Sequence, residues 1–234
     1  MYFSLSALTL ILILTGCVPR FEVAGGEVAA LDGTRAESLL ATTSTGHKSL
    51  SDLSQLRNQG FAIVYLSVSG GYIQTMNGHG GGGYKIEGKT ITIFINKDLP
   101  EQEQSHVIAH ELVHIKDDLE IDNFLSLYPH VSSAAESFVR NYKAQGVASF
   151  DQRVVSYVLG TLFCTEARAY NRNQQLADEG VATGSFAKGD SLPQYIDETY
   201  ISKFGLTYGS SATSMANWCL GNDSMTQIQK QLVW

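Results

Sequence analysis

An α+β fold is what this sequence predicts, and three observations predict it. Short β-branched and aromatic runs crowd the N-terminal half, helical periodicities fill the C-terminal half, and no segment repeats. The expected architecture is a small N-terminal sheet with an edge strand, one long buried helix after it, and a mostly helical C-terminal half. At 234 residues, 44% hydrophobic and 17% charged, the chain can bury a sizeable core. Its net charge of −7, without any cluster of lysine or arginine, argues against a nucleic-acid partner and otherwise reads as ordinary solubility.

Residues 1–16 carry no charge, and the apolar run 5–14 is too short for an ordinary transmembrane helix. It reads as the hydrophobic part of an export signal. Leu14-Thr15-Gly16-Cys17 resembles the lipobox of bacterial lipoproteins, in which the signal is cut before the cysteine and that cysteine takes a lipid. The basic residues that usually precede the apolar run are missing. The resemblance implies a signal peptide over 1–16, a membrane anchor through lipid on Cys17, and a periplasm-facing place in the bacterial cell envelope. Val18, where an aspartate would favour the inner membrane, points to the outer one.

Residues 17–47 hold Gly25-Gly26, Gly33 and a Thr/Ser/Gly cluster over 42–46, and read as a tether to a folded domain over 48–234. Leu50, Leu53 and Leu56 before Gly60 predict a short helix, and 61–68 predicts the first strand. The glycine-rich stretch 69–83 is expected to be a flexible loop. His79 within it is a candidate extra ligand or transition-state donor, or else a plainly exposed histidine. Residues 84–87 and 90–96 predict a hairpin turning at Gly88-Lys89; in its second arm isoleucines alternate with Thr92, Phe94 and Asn96, as two differently occupied faces require.

Asp98 and Glu101, with Pro100 between them, form a capping-box pattern that predicts a helix to about Leu119. Inside it stands His110-Glu111-Leu112-Val113-His114, flanked by Val107, Ile108, Ala109 and Ile115. Residues four apart share a helix face, so the two imidazoles can take one cation, while Glu111, about 100° round, reaches toward a water on it. The bland alternative is two histidines packed on a helix face. The apolar flanks weigh against it, because unpaired imidazoles in a buried helix are costly. His106 falls in the same row, either as a third histidine near the site or as a polar residue nearer the solvent-exposed end of the helix. Asp117 and Asp118 close the row at the end where positive charge is better placed, which asks for a partner such as a metal-ligating imidazole.

Further on, 123–130 with Pro129 predicts a connection and 133–145 a helix stopped by Gly146. Residues 149–152 open a long helix through Val155, Val158, Leu159, Leu162, Phe163, Ala167 and Tyr170 to about Glu179. Glu166 lies on its apolar face and needs a partner. Another helix begins at Leu192-Pro193 and ends at Gly205, and 213–234 is helical by pattern. With Cys17 taken by lipid, Cys164 and Cys219 are an even pair, either bonded in an oxidising compartment or two buried thiols.

A catalytic zinc usually takes three protein ligands. The metzincin continuation would need glycine and histidine where Asp117 and Glu120 stand, and Glu136 has no distinguishing context. Glu166, on a separate apolar helix, is the candidate whose burial a metal explains. On these residues the chain resembles the gluzincins of the zincin metallopeptidase clan over 84–171: a strand, a zincin-like active-site helix, then a second helix with a glutamate. The resemblance implies Zn2+ held by His110, His114 and Glu166, Glu111 as catalytic base, and a peptide or protein substrate lying along an edge strand, Thr90–Asn96. Many gluzincins place an aspartate four residues beyond the glutamate. Tyr170 stands there in this chain, and Asp117 is a candidate to replace it. Tyr170, His130 and His79 are candidate oxyanion donors. The function so implied is zinc-dependent peptide hydrolysis in the cell envelope; the alternative is a non-catalytic zincin-fold lipoprotein that binds or assembles.

Overall fold

The computed structural model describes residues 23–24, 27–69, 72–75, 78–181 and 192–234. The signal expected over 1–16 and the lipid expected on Cys17 lie outside the described residues. Seven strands are seen: β1 (Val23–Ala24), β2 (Glu27–Ala30), β3 (Ala62–Ser69), β4 (Tyr72–Thr75), β5 (Gly78–Gly80), β6 (Gly82–Glu87) and β7 (Thr90–Asn96). The helices are α1 (Thr34–Leu40), α2 (Ser44–Asn58), α3 (Glu101–Leu127), α4 (Pro129–Gln145), α5 (Gln152–Asp178), α6 (Leu192–Ile196), α7 (Ala212–Leu220) and α8 (Met225–Leu232). Among the described residues the fold is α+β, with every strand ahead of α3 and a mostly helical remainder.

Four strands form a mixed sheet in the order β2-β3-β7-β6, with β3 and β7 parallel and the other pairs antiparallel. Ile91, Ile93 and Ile95 are fully buried on one face of β7, while Thr92, Phe94 and Asn96 on the other are partly exposed. The hairpin β6–β7 is as predicted, but the edge assignment needs correction. Thr90–Asn96 has hydrogen-bonded neighbours on both sides, and the edges are β2 and β6. A hairpin read locally shows one neighbour; the second, β3, pairs from 28 positions earlier and leaves no local trace.

A second sheet, β1-β4-β5, falls largely where a flexible loop was expected over 69–83. Glycine here answers a need for close approach. A Cβ on Gly82 would sit 2.0 Å from Val107 Cγ1 and 2.9 Å from the Phe94 carbonyl oxygen, so bare backbone is what lets α3 lie against this strand.

The tether expected over 17–47 also needs correction, because Glu27–Ala30 is a strand and two helices follow from Thr34 to Asn58. β2 pairs with β3, α1 follows, and the Tyr65 hydroxyl donates to Glu37 at 2.7 Å. The Thr/Ser cluster that looked like linker is a helix cap: Thr43 Oγ1 accepts from the Gly46 N–H at 2.9 Å, and the Glu179 carboxylate accepts from the Thr45 N–H and hydroxyl. α2 therefore starts earlier than leucine spacing alone indicates.

α3 runs past the expected Leu119, and the connection expected over 123–130 shrinks to Tyr128. Pro129 opens α4, where a missing N–H and fixed φ suit the first turn. α5 matches its expected span. Gly146 at φ 76° ends α4, and α6 continues through a wider turn over Asp197–Ile201 to Gly205 at φ 72°. Among the described residues no helix is long and apolar enough to cross a membrane.

Contact density divides the described chain into two units. One holds both sheets, α1, α2, α3 as far as Ile115 and α5 from Ala169. Its core includes Leu40, Leu53, Val68, Tyr84 and the three isoleucines of β7. The other holds Lys116–Arg168 and the helices from α6 on, around Phe138, which contacts the rings of Tyr142, Phe150 and Phe204. In this second unit a disulfide joins Cys164 of α5 to Cys219 of α7, and Tyr157, Gln229 and Thr161 form a buried hydrogen-bonded chain.

Candidate metal centre

Every residue of α3 from Ser105 to Ile115 is buried, so the helix encloses its polar side chains as well as its apolar ones. His110 and His114, one turn apart, bring their Nε2 atoms to 3.0 Å, with ring planes at 73°. Glu166 comes from α5 and is fully buried. His110, His114 and Glu166 each offer one ligand atom, and these atoms lie within 4.8 Å of one another. This buried group can hold a metal ion.

Its electrostatics favour that use. Burial draws His110 down to about 3, helped by the nearby His106, and holds His114 well below the usual imidazole value, helped by His110. Both rings are thus neutral at ordinary pH, the form that offers a lone pair to a cation. Two nitrogens held at about 2.0–2.1 Å in a tetrahedral zinc site stand roughly 3.3 Å apart, close to the 3.0 Å seen between the Nε2 atoms. Two histidines and a carboxylate are a donor set that zinc accepts. Glu111 follows His110 in the chain: burial pushes its carboxyl up to about 8, and its Oε2 has no hydrogen-bond partner.

The other sequence candidates divide. Tyr170 is at the group, its ring edge-on to His110 with centroids 4.8 Å apart. Asp117 does not orient a ligating histidine: both its oxygens accept from Arg168 Nε, at 2.9 and 3.2 Å, because a buried carboxylate at the end of the row takes the nearest cation. His130 is exposed in the first turn of α4, with Tyr128 and Trp234 as its ring neighbours. His79 falls in β5, and its side chain lies outside the described residues. Glu136 pairs with Arg140, and Glu120 accepts from the Thr226 N–H, so neither is drawn to the histidines.

One residue escaped the sequence reading. Asn173, 2% exposed, places Nδ2 3.1 Å from His110 Nδ1. The signal that could have found it is its spacing: Glu166, Tyr170 and Asn173 recur at four and three residues, one face of α5.

Fold and site together define an α+β protein with a buried two-histidine, one-carboxylate group able to hold a metal ion. No protein-family model, no curated protein and no solved structure matches the chain.

Proposed function

We propose that this protein is a zinc-dependent peptidase of the zincin type, with His110, His114 and Glu166 as metal ligands and Glu111 as general base. The observation that carries the reading is the convergence of those three ligand atoms, and Glu111, the residue after His110, is a buried carboxylate with an unpartnered oxygen. Zinc, when bound, lowers the pKa of an attached water and polarises a carbonyl. The chain's own groups do the rest. His110 and His114 present neutral nitrogens from one helix face, and Glu166 supplies the negative charge. Glu111 takes a proton at its free Oε2 and returns it to the leaving amine. Its raised carboxyl suits proton exchange near neutral pH, and a cation nearby favours its ionised form.

The same reading places the protein in the bacterial envelope, tethered through Cys17. The Leu-Thr-Gly-Cys sequence supports this, as does the Cys164–Cys219 disulfide, a bond that persists where thiols are oxidised.

The test joins metal analysis to peptide cleavage. One zinc per chain is expected in wild type, with metal lost in Glu166→Ala. Glu111→Gln is expected to keep the metal and lose at least about 100-fold in cleavage of a peptide library. Cleavage that survives Glu111→Gln overturns the mechanism, and a chain that takes up no metal overturns the site.

A further inference from the structure

Glu166 sits in the middle of a helical turn that is fastened on both sides to one short stretch of chain. Two residues before it, Cys164 is bonded to Cys219, near the end of α7. Two residues after it, Arg168 Nη1 donates to the Asn222 carbonyl at 2.9 Å, three positions beyond Cys219. Cys164 and Arg168 are four apart and share a face of α5, while Glu166, about 200° round from each, projects from the opposite face. The stretch 219–222 is thus attached to the back of the turn whose front carries the carboxylate.

That stretch is itself held. Asn222 Nδ2 donates to the Trp218 carbonyl at 2.8 Å, and Gln231 Nε2 of α8 donates to Asn222 Oδ1 at 2.7 Å. Arg168 reaches further, its Nε donating to Asp117 of α3, three positions past His114. All these contacts fall within one unit, and Cys164, Glu166 and Cys219 are each fully buried. A turn inside a 27-residue helix needs no such support to stay helical, since its backbone bonds already run along the axis. What those bonds leave unset is the sideways place and the rotation of the turn. A metal ligand has to be held to within about 0.5 Å of its working position, so for Glu166 these are the quantities that matter.

We propose that Cys164, Cys219 and Arg168 are positioning residues for Glu166: the disulfide and the Arg168–Asn222 bond brace the back of its turn and so fix the carboxylate that joins His110 and His114. The purpose of the brace rests on the metal-centre reading; the brace itself does not. A disulfide that merely stabilises acts chiefly on the unfolded chain and leaves the affinity of the folded site as it was. One that positions a ligand changes that affinity.

The experiment compares wild type, the double variant Cys164→Ala/Cys219→Ala and Phe138→Leu as full chains, with folding monitored by thermal melts. In metal-free samples, amide hydrogen exchange is followed over 162–169 of α5 and over α4. Zinc affinity is measured by competition with a chromophoric chelator. In the double variant, exchange over 162–169 is expected to rise at least about 10-fold more than in α4, and zinc binding to weaken about 10- to 100-fold. Phe138→Leu, which loosens the core of the same unit on another helix, is expected to lower the melting temperature and to keep zinc affinity within a few-fold of wild type. Exchange that rises evenly in both helices overturns the brace, as does a folded double variant that binds zinc like wild type. If the double variant does not fold, Arg168→Lys decides, since it keeps the disulfide and a cation for Asp117 but gives up the bond to Asn222. Loosening of 162–169 with zinc binding about 10-fold weaker supports the brace, and wild-type values overturn it. A wild type that takes up no zinc, with 162–169 selectively loosened in the variants, strikes the metal-centre reading and leaves the brace standing. Zinc uptake with an unmoved turn does the reverse.

Discussion

Glu111 and Asp117 are carboxylates buried on the same helix, and their surroundings differ in kind. Asp117, 1% exposed, accepts two bonds from Arg168, whose Nη1 donates onward to the Asn222 carbonyl. Glu111, 4% exposed, takes part in no ion pair among the described residues and keeps one oxygen without a hydrogen bond. Burial is the larger influence on both. It pushes Asp117 up to about 7 although Arg168 draws it down, and Glu111 up to about 8 with nothing opposing. A carboxylate given a fixed cation is part of the scaffold. One left without a fixed partner is, on the proposed reading, held ready for a proton and a ligand that come and go.

The most direct way to break this contrast is to strip Asp117 of its cation. Arg168→Met leaves a buried carboxylate uncompensated and is expected to cost about 3–5 kcal/mol at pH 9. Denaturant unfolding checks it. The pH dependence follows from the raised value. An unfolded aspartate titrates near 3.9, and folded Asp117 near 7, so the native state keeps its proton to higher pH. The stability this group contributes is complete below about pH 4 and is lost as pH rises through 7. Asp117→Asn is therefore expected to flatten the stability profile between those limits, and an unchanged slope would assign the titration elsewhere.

Glu111→Gln sharpens the comparison from the other side. Removing a charge that nothing compensates is expected to stabilise the chain by roughly 1–3 kcal/mol at pH 9, measured with chelator present, while cleavage is lost. Opposite signs of stability change for Arg168→Met and Glu111→Gln would separate scaffold from site. Destabilisation by Glu111→Gln would instead make Glu111 a structural residue.

What could be read from the sequence followed the reach of local rules. His110, Glu111 and His114 were legible because one helical turn sets their geometry, and Glu166 because a carboxylate among Leu162, Phe163 and Ala167 is conspicuous. α5 was placed almost to the residue, since its apolar stripe is long. Asn173 was missed because an asparagine among Asn171, Gln174 and Gln175 looks like ordinary solvent-facing helix until the partner at His110 is known. The pairing of β2 with β3 and the interior place of β7 were illegible for a related reason. Sheet register joins segments tens of residues apart, and a four-residue strand such as Glu27–Ala30, exposed along its length, carries no alternation to betray it. Asp117 was sent to the wrong partner because its cation, Arg168, sits 51 residues away.

The finest test of the contrast lies one turn past Asp118. Asp122 is only partly buried, and its Oδ1 has no hydrogen-bond partner, yet burial still lifts its carboxyl to about 6. It thus shares the lack of a partner with Glu111 but not the enclosure, and water reaches enough of it to screen most of the penalty. Because the folded value is raised, its protonated form favours the native state below about pH 4, and that advantage disappears as pH climbs through 6. Asp122→Asn is consequently expected to be neutral at pH 4 and stabilising by a few tenths of a kcal/mol at pH 8. Paired denaturation curves at the two pH values resolve it. A gain at pH 8 as large as that of Glu111→Gln would mean that the missing partner, rather than enclosure, sets the cost of a carboxylate on this helix, and the distinction drawn between Glu111 and Asp117 would then rest on Arg168 alone.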